Sequence, residues 1–561
     1  MRSAWRQTFR LGLIGGIATW HFCLVGMVET FAERQLVGEV LSLGYVLLLF
    51  VMFMVGILAA RTEPSGRSYL LRGVVAGGTV GLILTLLVIF IQLLNPRSIF
   101  IHASPRLVQL LTLGLANPWG LGVPIIAGAL AGLAGGALDA IPAILRRSVI
   151  AAVAITLFMG LLRDVIAVLL PSGVAGFLFT ATGLQPIGAL LILTTVGVAF
   201  GAWNAVHARR FSPPPLSAPA IRRGGLTLGV LVLLTFPLWA RIFLSNVADF
   251  VGLYIIMGLG LNLVVGFAGL LDLGYVAFFA IGAYTMAVLT SPEIGLANLT
   301  FWEALPISIF VALLSGILLG LPVLRMRGDY LAITTLGFGE IIRILVLSDA
   351  LKPYLGAAQG ITRIARPVIG PLVFDTPEEF YYLILAGVLL AWVVAARLKT
   401  SRIGRAWMAI REDEDVAQAM GINRVTAKLL AFAIGASLGG LSGALFASMV
   451  GSVVPKSFEL LISINVLALI IIGGMGSLPG VIVGALALVG LPELLREFRE
   501  YRLLIYGAVL VGMMLYRPEG LWPERMILQE LREEKERVKS TAAPTRERKI
   551  VMMPADPPAE G

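Results

Sequence analysis

Two opposite charges sit inside one apolar run. Glu340 and Arg343 lie three residues apart in Gly337-Phe338-Gly339-Glu340-Ile341-Ile342-Arg343, so on a helix they share a face and can neutralise each other. Each alone would cost about 2.5–3.5 kcal/mol at mid-membrane, so the pair either lines a polar translocation path or forms a self-paired structural face. Asp272, in Ala268-Gly269-Leu270-Leu271-Asp272-Leu273-Gly274-Tyr275, falls near a cytoplasmic helix end and reads as a cap on backbone amides. Asn262, within Gly258-Leu259-Gly260-Leu261-Asn262-Leu263, is an uncharged polar group of the kind that bonds a neighbouring helix. No catalytic or metal-binding set accompanies them. Cys23 is the single cysteine, His21, His102 and His207 are scattered, and neither G-x-S-x-G nor H-E-x-x-H occurs. A P-loop needs a Gly-Lys pair, and the chain has none, so it is not expected to hydrolyse ATP by itself.

A second group of charges lies outside the apolar runs, in the connection from Arg397 to Lys428. An ordinary connection is about 4–6 residues, which makes one of thirty-two residues a candidate docking segment. Its centre, Arg411 to Gly421, reads as one short amphipathic helix. The four acids Glu412 to Asp415 oppose the positive end of the helix dipole, and Gly421 is placed to end it. Ile410, Val416, Ala417 and Met420 would form an apolar edge.

The elements that must position these residues are membrane helices. Of 561 residues 58% are hydrophobic and only 14% charged, the mean hydropathy is +0.92, and the apolar residues fall in runs long enough to cross a bilayer. The expected fold is all-α, a polytopic helical membrane protein of about 16 transmembrane helices. Six spans come first: Leu11 to Val28, Leu36 to Ala60, Gly73 to Leu94, Trp119 to Leu145, Ser148 to Leu170 and Pro186 to His207. Ten follow: Leu226 to Leu244, Asp249 to Phe267, Leu271 to Leu289, Leu305 to Leu324, Tyr330 to Leu347, Phe380 to Ala396, Leu429 to Val450, Ser457 to Gly473, Leu478 to Leu495 and Leu503 to Tyr516. The first is read as uncleaved, because no small-residue cleavage site follows it. The stretch Arg106 to Ala116 is too short to cross.

These runs divide the chain into a six-helix membrane region (1–208), a Pro-rich basic linker (209–223), a ten-helix domain (224–523) and a charged tail expected to be largely disordered (524–561). With the N-terminus inside, thirty of the 43 basic residues fall on the cytoplasmic side and ten outside, which places both termini in the cytoplasm. Glycines at Gly435, Gly439 and Gly443 share one face and read as a helix-packing surface, while Gly473-Gly474-Met475-Gly476-Ser477-Leu478-Pro479-Gly480 must turn tightly.

From about Gly224 to Glu524 several long motifs stand in order: Gly260-Leu261-Asn262-Leu263-Val264-Val265-Gly266-Phe267-Ala268-Gly269-Leu270-Leu271-Asp272-Leu273-Gly274-Tyr275, Arg327-Gly328-Asp329-Tyr330-Leu331-Ala332-Ile333-Thr334-Thr335-Leu336-Gly337-Phe338-Gly339-Glu340-Ile341-Ile342-Arg343, Gly404-Arg405-Ala406-Trp407-Met408-Ala409-Ile410-Arg411-Glu412-Asp413 and Arg517-Pro518-Glu519-Gly520-Leu521. In these the chain resembles the permease subunits, of the LivM type, of bacterial branched-chain amino acid ABC importers. The resemblance implies a multi-pass protein of the bacterial inner membrane that pairs with a homologous second permease. Two cytoplasmic ATPases would dock beneath, and a periplasmic substrate-binding protein would deliver substrate; the net charge of +10 reads as topology and lipid contact, so no nucleic acid is expected as a partner. No cofactor would be bound by this chain, ATP and Mg being used by the ATPases. Arg405, Arg411, Glu412, Asp413, Glu414, Asp415, Gln418, Met420 and Gly421 would form the ATPase-coupling helix. Asn262, Asp272, Tyr275, Thr334, Thr335, Gly337, Gly339, Glu340 and Arg343 would be candidates for the translocation path. Urea and short-amide importers share the fold, and an ion-gradient-driven secondary transporter would explain the intramembrane charges but not the docking loop. The first 220 residues do not repeat these motifs.

Overall fold

The computed structural model describes residues 2–494 apart from 39, 63–67, 95, 164–165, 168–169, 181, 208–217, 324–325 and 327, together with 507, 511–512 and 520–523. Among the described residues nine helices are long and apolar enough to cross a membrane, and four shorter apolar helices accompany them. The chain is therefore a polytopic helical membrane protein. Of its expected parts, most of the linker, most of the last span and the tail from residue 524 lie outside the described residues.

The chain forms two compact units, Met1–Arg241 with Leu494–Arg499, and Ile242–Glu493 with Glu500–Gly561. In the first, α1 (Arg2–Leu24), the short α2 (Met27–Ala32), α3 (Leu43–Ala60), α4 (Tyr69–Leu94), α5 (Pro105–Thr112) and α6 (Trp119–Ala140) build one bundle. Glycine sets the distance at its centre. Gly73, Gly77 and Gly81 of α4 face Gly128, Gly132 and the Pro124 carbonyl of α6, so close that a methyl group at Gly77 would overlap the Gly128 carbonyl. In lipid, where apolar surface gains nothing by leaving its solvent, this close backbone approach supplies the attraction through van der Waals contact. α5 does not cross: it is eight residues long, capped by Ser104, and buries Leu107 and Leu111. Then follow α7 (Ala143–Leu161), which ends nine residues before the expected Leu170, the short α8 (Ser172–Leu178) and α9 (Pro186–His207), which packs on α7.

The next element corrects the sequence reading. Leu226 to Leu244 and Asp249 to Phe267 were expected to be separate spans, yet the backbone is helical without interruption in α10 (Ala218–Leu261), which widens into a π-helical turn over Asn262–Phe267. The reason is local: residues 245–248, Ser-Asn-Val-Ala, contain neither glycine nor proline to break the helix, and Ser245 and Asp249 are buried.

Within the second unit the part of α10 from Ile242 onward is almost wholly buried. Around it stand α11 (Val276–Thr290), α12 (Phe301–Val323), α13 (Asp329–Leu347), α14 (Pro377–Thr400), the short α15 (Arg402–Glu412) and α16 (Glu414–Ala419), α17 (Arg424–Val450), α18 (Leu460–Gly473) and α19 (Leu478–Ala485). α17 carries the glycine face: Gly435 meets Val264 and the Gly260 backbone, Gly439 meets Phe278 and Tyr275, and Gly443 meets the Phe279 carbonyl. Among the described residues the strands form three short pairs, one of which ties Ile361–Thr362 to Ser452–Val453.

Candidate functional site

The connection after α14 is a built structure. Ser401 caps α15 by accepting the Gly404 amide, and Gly404, Trp407 and Ile410 form its buried face. Trp407 is fully buried and its Nε1–H donates to the Ala427 carbonyl at 2.7 Å, fastening α15 to the start of α17. Arg405 points out and bonds the Thr400 carbonyl at 2.8 Å.

The single helix expected from Arg411 to Gly421 is instead two. Arg411 and Glu412 end α15, and Asp413 leaves the helical region with φ −154°. The Asp413 Oδ1 then accepts the amides of Asp415 and Val416, each at 2.9 Å, and starts α16. A carboxylate that captures two orphan amides is a strong N-cap, which is why the run of acids divides here. Gly421 has φ +88°, and its amide and that of Ile422 close the C-terminus on the carbonyls of Gln418 and Ala417.

The remaining side chains of α16 separate into an inner and an outer set. Glu414 turns inward: its carboxylate lies 2.7 Å from Lys428 Nζ, with the two side chains 14% and 3% exposed, and Arg424 stands 3.9 Å away. A buried pair of this kind tolerates poorly the removal of one partner, so it holds α16 in place on α17. Ala417 is also buried, but Val416 and Met420 are 59% and 80% exposed, with Asp415 and Gln418 beside them. Of the expected apolar edge, Ile410 and Ala417 therefore serve the interior, and Val416 and Met420 face outward.

Polar groups fasten an unwound stretch, residues 268–275, and Val276 just after it, to three helices, α13, α17 and α18. Asp272 Oδ1 accepts the Gly274 amide at 2.8 Å, and the Leu273 amide donates to Thr335 Oγ1 of α13 at 3.0 Å. The Tyr275 hydroxyl donates to the Gly435 carbonyl of α17 at 2.8 Å, and the Val276 amide donates to Ser463 Oγ of α18 at 2.9 Å. Asn262 Oδ1 accepts the Gly476 amide at 2.9 Å in the turn between α18 and α19, where Gly474 and Gly476 both have positive φ. Asn262, Asp272, Tyr275 and Thr335 are fully buried.

The other candidates lie apart from that belt. Glu340 and Arg343 pair, with Arg343 Nε 2.9 Å from Glu340 Oε2, and both remain partly exposed. With Leu336 and Gly339 they border narrow clefts between α13 and α11 that Phe458 also lines. Among the described residues Gly337 has no neighbour within 4 Å of where a methyl would stand, and the Thr334 hydroxyl bonds back to the Tyr330 carbonyl at 2.9 Å. Sequence reasoning missed Ser463, Lys428 and the anchoring role of Trp407. For Lys428 the available signal was its distance of fourteen residues from Glu414 across a capped turn; for Ser463 there was none.

Residues 243–514, which contain the belt, the clefts and the helix pair, match the family described as the permease component of branched-chain amino acid transport systems. Among curated proteins, the high-affinity branched-chain amino acid transport system permease protein LivM of Escherichia coli K12 is 41% identical over 344 residues, which span 57% of this chain and 80% of LivM. This chain belongs to that permease family. The probable LivM of Methanocaldococcus jannaschii is 23% identical over 335 residues, spanning 51% of this chain and 94% of the relative. The permease protein LivH of Salmonella typhimurium is 24% identical over 281 residues, spanning 48% and 90%. No solved structure matches the permease. Its family-matched part begins at the buried portion of α10, and residues 1–242 lie outside it.

Proposed function

We propose that this permease is the membrane subunit of an ATP-driven importer of branched-chain amino acids in a bacterial inner membrane. It pairs with a homologous permease to enclose the path, receives substrate from a periplasmic binding protein and is worked from below by two cytoplasmic ATPases, which use the ATP and Mg. The permease itself binds no cofactor. The observation that carries this reading is the helix pair α15 and α16, inside the family-matched region. A six-residue helix held by the Asp413 cap and the Lys428–Glu414 pair presents Val416 and Met420 to solvent, and exposed apolar side chains on a braced element suit a partner's groove. Seven basic residues from Arg397 to Lys428 support a cytoplasmic position for that element. Glu340 and Arg343 support the path assignment, because a partly exposed charged pair on a membrane helix calls for protein or water rather than lipid beside it.

Orientation tests the reading directly. In a Cys23→Ser background, a cysteine placed at Gln418 is expected to react with a membrane-impermeant maleimide in inside-out vesicles and not in intact cells. Reaction from the periplasmic side in intact cells would contradict the docking role of α16.

A further inference from the structure

The helix pair is not joined to the membrane core by its chain connections alone. Arg411, the last basic residue of α15, reaches across to α10, where its Nη1 donates to the Gly266 carbonyl at 2.7 Å. Gly266 belongs to the last turn of the π-helical segment, where carbonyls have run out of helical donors and need another partner. The fit is close on a second side: Gly269 has φ +70°, and a methyl group there would stand 2.9 Å from Arg411 Cγ. The Lys399 ammonium lies 5.7 Å from the centre of the Phe267 ring, placing a second contact between the end of α14 and the same turn.

That turn leads on to another. Asn262, at its start, holds the Gly476 amide, and the space a Gly266 side chain would need is filled by Asn262 and by the Gly476 nitrogen. The α18–α19 turn that contains Gly476 is bound in addition by the returning chain: the amides of Leu521 and Trp522 donate to the carbonyls of Ile472 and Gly473 at 2.7 and 2.9 Å, and Gly520 packs on Gly474. A continuous series of contacts therefore runs from the cytoplasmic helix pair through Arg411, the π-helical turn and Asn262 to a glycine turn between two membrane helices. π-helical turns within α-helices are rare and are frequently found at functional sites.

We infer that Arg411 is a positioning residue that couples movement of the α15–α16 pair to the membrane helices, by holding the Gly266 carbonyl at the end of the π-helical turn. The inference rests on the importer reading above and adds to it the point at which force enters the membrane domain. The Glu414–Lys428 pair keeps α16 on α17, whereas Arg411 contacts the helix at the centre of the unit.

The test uses the complete transporter, with partner permease, ATPases and binding protein, in vesicles where uptake of radiolabelled leucine and release of phosphate are measured together. For Arg411→Ala, leucine transported per ATP hydrolysed is expected to fall roughly tenfold, the scale of one charge-assisted hydrogen bond. Arg411→Lys, which keeps a cationic donor, is expected to recover most of that ratio. Gly269→Ala, which displaces Arg411 without altering it, is expected to lower the ratio as Arg411→Ala does. An unchanged ratio in Arg411→Ala, or a fall in uptake that only follows the amount of assembled complex, would overturn the inference while leaving the importer reading standing. Failure of the unaltered complex to take up leucine with ATP would instead defeat the importer reading, and this inference with it.

Discussion

Gly421→Pro is expected to lower ATP-dependent uptake at least about 100-fold while the permease still reaches the membrane in normal amount. Gly421 ends α16 at φ +88°, and its amide bonds the Gln418 carbonyl. Proline fixes φ near −65° and has no amide hydrogen, so neither feature survives the substitution. The chain leaving α16 must then take another direction, and Val416 and Met420 lose their presentation. Among the described residues no atom beyond its chain neighbours lies within 4 Å of the position a side chain at Gly421 would take. The loss should therefore appear in uptake, measured per amount of membrane-inserted protein, and not in insertion. Reversing the charges of Glu412 and Asp413 should act on the same step by removing the N-cap that separates α15 from α16.

The second large effect is expected in the belt. At Gly274 a methyl group would overlap the Thr335 carbonyl, and the two segments are tied together besides, by the Gly274 amide on the Asp272 carboxylate and the Leu273 amide on the Thr335 hydroxyl. Neither side can yield cheaply. Gly274→Val should cost about 3 kcal/mol of stability or more, because α13 must move away from the start of α11, and uptake should be lost with it. Gly337→Ala, on the same helix as Thr335, has open space around it and should be neutral or stabilising by up to about 1 kcal/mol. Thermal unfolding of the two purified variants, followed side by side, separates a steric requirement at Gly274 from a general sensitivity of glycines in this region. Equal melting temperatures would show that the close approach is not a constraint.

Much of this arrangement was legible in the residues, for identifiable reasons. Long apolar runs locate membrane helices because lipid demands that every backbone group be satisfied within the segment. The i, i+3 spacing of Glu340 and Arg343 was enough to foresee their pairing, because that geometry is set within one helix turn. The glycine turn after α18 was readable because four glycines and a proline in eight residues cannot continue a helix.

What was not legible depended on partners distant in sequence or on competition between local choices. The run Glu412 to Asp415 suits one helix start by charge alone, but only one of the four side chains can cap, and Asp413 takes that place and splits the segment. Lys428 reads as the last residue of the docking connection, yet it is buried near the start of α17 because Glu414 comes back to meet it. The expected break between Leu226 to Leu244 and Asp249 to Phe267 is absent, because the sequence between them continues the helix. Asp272 was placed near a helix end, and the helix does begin just beyond it, at Val276; the intervening residues are held unwound by Thr335, Gly435 and Ser463, none of them near in sequence. In the first unit, the glycines of α4 and α6 are each spaced four apart, but a sequence does not reveal that the two rows face each other.

On the proposed reading the permease is a gate without its own energy source, moved through a braced helix pair by an ATP-consuming partner. Uptake of radiolabelled leucine into proteoliposomes measures this most directly. The permease alone, under a proton or sodium gradient, is expected to transport nothing. Uptake should begin only when the second permease, the ATPases, the binding protein and hydrolysable ATP are all supplied. Gradient-driven uptake by the permease alone would contradict the account.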